Sequence, residues 1–311
     1  MKFLKHVLFA LVLLLAAPTA MNAQGKFVVP VTGRKVRLWV SDEQVLSLSA
    51  QEYQSYLKTA KISTDAANTA MVQKVGKRLA AAVETYLRNN NRLDAIQNYS
   101  WEFNLVQDNS ANAFCMPGGK IVVYEGLLPV TQSEDALAIV LGHEIAHAVA
   151  KHSAEQLSTQ VKQQAGAKLL GAVLGATGVS NTTSLLTQTA FSLGSKQLGS
   201  LKYSRDNESE ADYMGLIFAA MAGYDPSVAV SFWQRMASSS TNSRLAFLSD
   251  HPSDAKRIAS IQKWLPTALK YYTPVKTTET TTKKATKQKK SAKKSGTKKK
   301  TTAKKSSKKK K

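Results

Sequence analysis

The sequence predicts an α+β domain, mainly helical, with a small β-sheet, over residues 29 to 272. Three observations point there. Apolar residues recur at helical spacing, as in Met71, Val75, Leu79, Val83 and Leu87. Two short stretches around residues 100 to 124 have strand character. Both ends of the chain have compositions foreign to a packed core.

The N-terminal end carries Lys2, Lys5 and His6, an unbroken apolar run from Val7 to Ala17, and then small residues through Ala20 and Ala23. That is the build of a signal peptide over residues 1 to 23, and it predicts export with cleavage near Ala23. Eleven apolar residues fall short of the roughly 20 that a bilayer-spanning helix needs, so a permanent anchor is the less favoured reading. No cysteine follows the run. Cys115 stands alone in the whole chain, which excludes an internal disulfide.

The other end, residues 274 to 311, holds seventeen lysines and one glutamate with no apolar side chain larger than Val275, and is expected to be disordered. It carries +16 of the formal charge of +22, so the part that folds is only mildly basic. Without interleaved aromatic residues, nucleic acid is not the expected partner. Either the tail touches an anionic membrane surface or lipopolysaccharide, or it is a solvated run without a dedicated partner.

In chain order, residues 49 to 90 read as one or two helices, closing on three asparagines. Residues 100 to 106 alternate around Trp101, Phe103 and Leu105, and residues 121 to 124 are short and β-branched after Pro117, Gly118 and Gly119. This predicts two strands joined by a turn-bearing loop. Ser133 can cap a helix whose first residues, Glu134 and Asp135, suit the positive end of its dipole; it is expected to run to about Lys151. A second helix is expected from about Asp206 to Met221, stopped by Gly223 and Asp225-Pro226, and a third through Val230, Phe232, Trp233 and Met236. Between the first two lies an insertion, residues 165 to 199, with Gly166, Gly171, Gly175 and Gly178. It reads either as a lid or membrane-touching hairpin, or as a helical hairpin packed through small residues.

The chemistry lies on the Ser133 helix. His143-Glu144-Ile145-Ala146-His147 is an H-E-x-x-H motif, and a spacing of four puts both imidazoles on one helical face, where they can meet one metal ion. Ile139, Val140, Leu141, Ile145 and Val149 bury the rest of that helix, a setting in which three polar residues make no sense as ordinary core. Catalytic zinc sites use three protein ligands and leave one position for water, so a third ligand must come from elsewhere. Glu208, in Glu208-Ser209-Glu210-Ala211-Asp212, is the candidate. Asp212 shares its face and can brace His143 through the second ring nitrogen, while Glu210, on another face, reads as structural. His152, five residues past His147 on the same helix, is expected to point away into solvent. His251 and Arg257 could serve the oxyanion formed when water adds to a peptide carbonyl, with a plain loop histidine as the alternative. The set implies peptide hydrolysis with Glu144 as the base.

Together these motifs, with His251-Pro252 leading to Arg257, resemble the zinc metallopeptidase family that contains the CAAX prenyl protease, HtpX, Oma, BepA and LoiP. The resemblance extends over about residues 29 to 265. It implies a zincin-like fold, one zinc per chain on His143, His147 and Glu208, Glu144 as base, Asp212 behind the ligands, and His251 with Arg257 at the oxyanion or as a switch that can latch the metal. It also implies that Asn112, Ala113 and Phe114 belong to an edge strand over the zinc, where an extended polypeptide substrate pairs. The absence of convincing spanning helices is similar to the soluble periplasmic branch, which implies quality control of misfolded or misassembled envelope proteins. A chaperone or assembly factor with a latched site is the alternative.

Overall fold

The computed structural model describes residues 25 to 173, 203 to 238, 247, 251 and 255 to 274, without the side chains of 164 to 173. The expected signal peptide, residues 174 to 199 of the insertion read as a lid or hairpin, and the lysine tail past residue 274 lie outside the described residues, while residues 165 to 173 are helical.

The first element is one that the sequence reading did not anticipate. β1 (Gly25–Val28) and β2 (Lys35–Leu38) form an antiparallel hairpin with Gly25 opposite Leu38 and Val28 opposite Lys35. Its turn is made possible by left-handed backbone at Val31 and Gly33. The predicted helical stretch resolves into two helices. α1 (Asp42–Thr59) opens on a Ser41–Gln44 capping box, and α2 (Ala66–Asn89) is capped by Asp65, whose carboxylate accepts from the Asn68 amide. The stripe of Val72, Val75, Leu79, Val83 and Leu87 is buried as the periodicity requires.

β3 (Glu102–Val106) and β5 (Lys120–Tyr124) are the two expected strands, but they pair in parallel, Phe103 opposite Ile121, and the segment between them is more than a loop. It contributes β4 (Ala113–Met116), antiparallel to β5 with Phe114 opposite Val122, giving the sheet order β3-β5-β4. All four β4 residues are apolar and buried, so no alternation betrays the strand. Gly118 and Gly119, both with positive φ, turn the chain from β4 into β5.

After the short α3 (Leu128–Thr131), α4 (Glu134–Val149) begins at its Ser133 cap and is buried from Ala136 through Val149. It is the central rod of the core. α4 ends two residues before Lys151, which takes a left-handed φ of 59°, and α5 (His152–Val173) starts in a new direction. α6 (Arg205–Met221) opens on a Ser204–Asn207 capping box, followed by α7 (Val228–Ser238) and α8 (Ala255–Ala268). α6 lies along α4 at a glycine contact. A Cβ built on Gly142 would stand 2.7 Å from the Gly215 carbonyl oxygen, and one on Gly215 would stand 2.7 Å from the His143 amide nitrogen. Only hydrogen at both positions lets the backbones come this close. Among the described residues, no helix is long and apolar enough to cross a membrane.

Candidate metal centre

One turn apart on α4, His143 and His147 present their rings edge to face with centroids 4.6 Å apart. The glycine contact with α6 brings Glu208 to both: its carboxylate lies 3.4 Å from the Nε2 of each. His251 arrives from the far side with Nδ1 3.1 Å from His143 Nε2 and 3.0 Å from Glu208 Oε1. One donor atom from each of His143, His147, Glu208 and His251 lies within 4.8 Å of every other, and all four side chains are buried.

The tautomers follow from the partners. Asp212 is an acceptor, its carboxyl held below the usual range because Arg257 and His143 together outweigh burial, so His143 Nδ1 donates to Asp212 Oδ1 at 3.0 Å. The Nε2 lone pair of His143 then faces His147 Nε2 at only 3.0 Å. Three imidazole nitrogens and a carboxylate converging this closely are a donor set that suits a metal cation, so these four residues could hold one. Burial would raise the Glu208 carboxyl, but the three imidazoles packed against it, His143, His147 and His251, hold it far below the ordinary value. Burial, aided by the neighbouring His143, keeps His147 neutral by depressing its pKa. Burial also lowers His143, yet Asp212 and Glu208 outweigh it and the net shift is upward.

Glu144, between the two histidines in sequence, is 2 % exposed. Burial pushes its carboxyl up to about 7, against the pull of His251. Its Oε2 accepts from the Cys115 amide of β4 at 3.2 Å; its Oε1 accepts no hydrogen bond from the described residues, with His251 Nε2 3.4 Å away. The edge of β4 away from β5, unpaired among the described residues, therefore runs beside Glu144. Because Asn112 and Phe114 turn their backbone groups toward β5, those of Ala113 and Cys115 face the site. The Phe114 side chain points into the core, edge to face with Tyr56 at 5.4 Å. Asn112 is local, its side chain accepting from the Ala113 amide.

Arg257 makes a two-pronged contact with Asp212, 2.7 Å from Nε to Oδ2 and from Nη2 to Oδ1, and lies over the Trp233 ring at 3.5 Å. It also donates from Nη1 to the His251 carbonyl at 3.2 Å. The structure thus places Arg257 behind His143, bracing Asp212.

His152 corrects the sequence reading. It is fully buried, with Nδ1 2.9 Å from His147 Nδ1 and Nε2 3.0 Å from Glu210 Oε2. The expectation of an exposed residue assumed one continuous helix; the left-handed Lys151 ends α4 and swings His152 back under His147. Tyr203, stacked on His147 at 4.1 Å, had no sequence signal, and neither did the Cys115 amide.

A model of peptidase family M48 matches residues 66 to 265. The chain is 38% identical over 202 residues to the mitochondrial metalloendopeptidase OMA1 of Schizosaccharomyces pombe, covering 64% of this chain and 54% of that protein. It is 31% identical over 255 residues to the mitochondrial metalloendopeptidase OMA1 of Saccharomyces cerevisiae, covering 78% and 70%. With the beta-barrel assembly-enhancing protease of Yersinia pestis it shares 27% identity over 280 residues, 82% and 53%. The chain spans about half the length of the first and third of these relatives. The family match takes in more than half of the chain and every residue of the four-donor cluster, and on it the chain belongs to peptidase family M48.

Proposed function

We propose that this chain is an exported zinc-dependent endopeptidase acting on misfolded or misassembled proteins of the cell envelope. The observation that carries the reading is the convergence of the His143, His147, Glu208 and His251 donors beside Glu144. Tetrahedral zinc with bonds of about 2.0–2.1 Å separates its donors by roughly 3.3 Å. Five of the six separations here, 3.0 to 3.4 Å, suit that ion, and the sixth, between His147 and His251, lies within 4.8 Å. The names of the relatives, metalloendopeptidases and an assembly-enhancing protease, support proteolysis. Export is supported by the apolar N-terminal run, and contact with anionic lipid or lipopolysaccharide by the lysine tail.

His143, His147 and Glu208 would hold the zinc, which when bound supplies a Lewis acid and an acidified water. The protein's part is positional. An extended polypeptide adds to the β4 edge by donating to the carbonyls of Ala113 and Cys115, which lays a scissile carbonyl alongside the cluster. Glu144, with one oxygen fixed by the Cys115 amide and the other without a hydrogen bond among the described residues, takes the proton of the attacking water and returns it to the leaving nitrogen.

A second reading, a zinc-bearing chaperone or assembly factor whose site is latched, is favoured by His251 Nδ1 standing among the donors. Casein cleavage by the chain beside Glu144→Gln, with zinc measured in both, tests the first reading. Cleavage by the unmodified chain alone, at equal zinc, supports it; zinc in both without cleavage in either favours the latched reading.

A further inference from the structure

Each of the two histidines on α4 is backed by a different chain of contacts. Behind His143 stand Asp212 and Arg257, both within the segment that the family model matches. Behind His147 the chain is longer. His152 follows at 2.9 Å, then Glu210, and Glu210 accepts from Arg34 Nε at 2.7 Å and from the Thr32 hydroxyl. Arg34 in turn grips Glu155 with both terminal nitrogens at 2.9 Å, and Glu155 accepts from the Asn207 side chain at 3.1 Å, one residue before Glu208. Thr32 and Arg34 belong to the β1–β2 hairpin, before the first residue of the family match.

The order of donors along this chain has one solution once His147 offers its Nε2 lone pair to a metal. Its proton then resides on Nδ1 and is donated to His152 Nδ1. His152 carries its own proton on Nε2 and donates it to Glu210, which as a carboxylate can only accept. Arg34 and Thr32, both donors, hold Glu210 in place. His147, His152 and Glu210 are buried and Arg34 and Glu155 partly so, while Thr32 is exposed, so a break among the inner members leaves a polar group without a partner in a low-dielectric setting.

We propose that His152 and Glu210 set the tautomer and orientation of His147, and that Arg34 with Thr32 makes the N-terminal hairpin an integral part of the metal centre. These are positioning residues, and the inference rests on the metal-site reading above.

The test is zinc affinity of the full chain by competition with a chromogenic chelator, for the unmodified protein, His152→Phe, Arg34→Ala and the double variant. Removing the partner that orients a metal-ligating histidine costs roughly 10–100-fold in affinity. That loss is expected for His152→Phe, and a smaller loss for Arg34→Ala. Because Arg34 acts through His152, the double variant should bind no more weakly than His152→Phe alone. A cobalt-loaded sample gives a second readout, since its visible absorption reports the ligand geometry and should shift in both single variants. If His152→Phe does not fold, Arg34→Ala, changed at a residue whose side chain is a third exposed, carries the test through its affinity and cobalt spectrum. Unchanged affinity and spectrum in the single variants would overturn the proposal while leaving the metal site standing. Additive losses in the double variant would overturn it too, as the mark of two independent structural effects. An unmodified chain that binds neither zinc nor cobalt would remove this inference together with the reading beneath it.

Discussion

Gly142 and Gly215 meet backbone to backbone at the crossing of α4 and α6, where a methyl group on Gly215 would stand 2.7 Å from the His143 amide nitrogen. The contact lies next to His143 on one helix and three residues past Asp212 on the other. Two chemically complete half-sites, H-E-x-x-H and the Glu208–Asp212 face, become one site because these two residues have no side chain.

Gly215→Ala is therefore expected to act on both stability and metal. Overpacking a core commonly costs about 1–3 kcal/mol, and a clash with backbone, which cannot rotate away, belongs at the upper end. The thermal midpoint in chelator should fall and bound zinc should drop with it. A variant with normal zinc and an unchanged midpoint would show that the helices can part without harm.

Asp212→Asn leaves the shape nearly intact but removes the negative charge that Arg257 grips with two nitrogens and weakens the brace on His143. Zinc affinity should fall roughly 10–100-fold. In the metal-free protein a pH effect should appear as well. The folded pKa of Asp212 lies below its unfolded value because Arg257 and His143 outweigh burial, so its contribution is complete above the ordinary aspartate range and is lost as pH falls through the folded value. Thermal midpoints taken from pH 7 down to 3 should decline at the acid end in the unmodified chain. In Asp212→Asn they should start lower and decline less.

His251→Ala removes the fourth donor and opens a position for water, so casein cleavage should rise severalfold at unchanged zinc content. A fall in cleavage would instead assign His251 to the oxyanion.

Much of the site was legible in the sequence because helical spacing is a reliable ruler. His143 with His147, and Glu208 with Asp212, share faces as a spacing of four demands, and the Ser133 cap stands where α4 begins. What escaped depended on backbone that no residue pattern announces. Lys151 is an unremarkable lysine in the sequence, yet its left-handed conformation turns His152 from a surface residue into the support of His147. β4 escaped because burial on both faces erased its alternation, and the hairpin because four-residue strands carry too little pattern. Arg34 lies 121 residues from Glu155 and 176 from Glu210, contacts that only the fold can reveal.

X-ray absorption at the zinc edge of the unmodified chain tests the central claim most directly. The account predicts one zinc per chain, bound by nitrogen and oxygen alone at about 2.0–2.1 Å, with imidazole scattering that weakens in His251→Ala and zinc lost in Glu208→Ala. A sulfur donor at about 2.3 Å, which only Cys115 or a methionine could supply, or full zinc occupancy in Glu208→Ala, would contradict it.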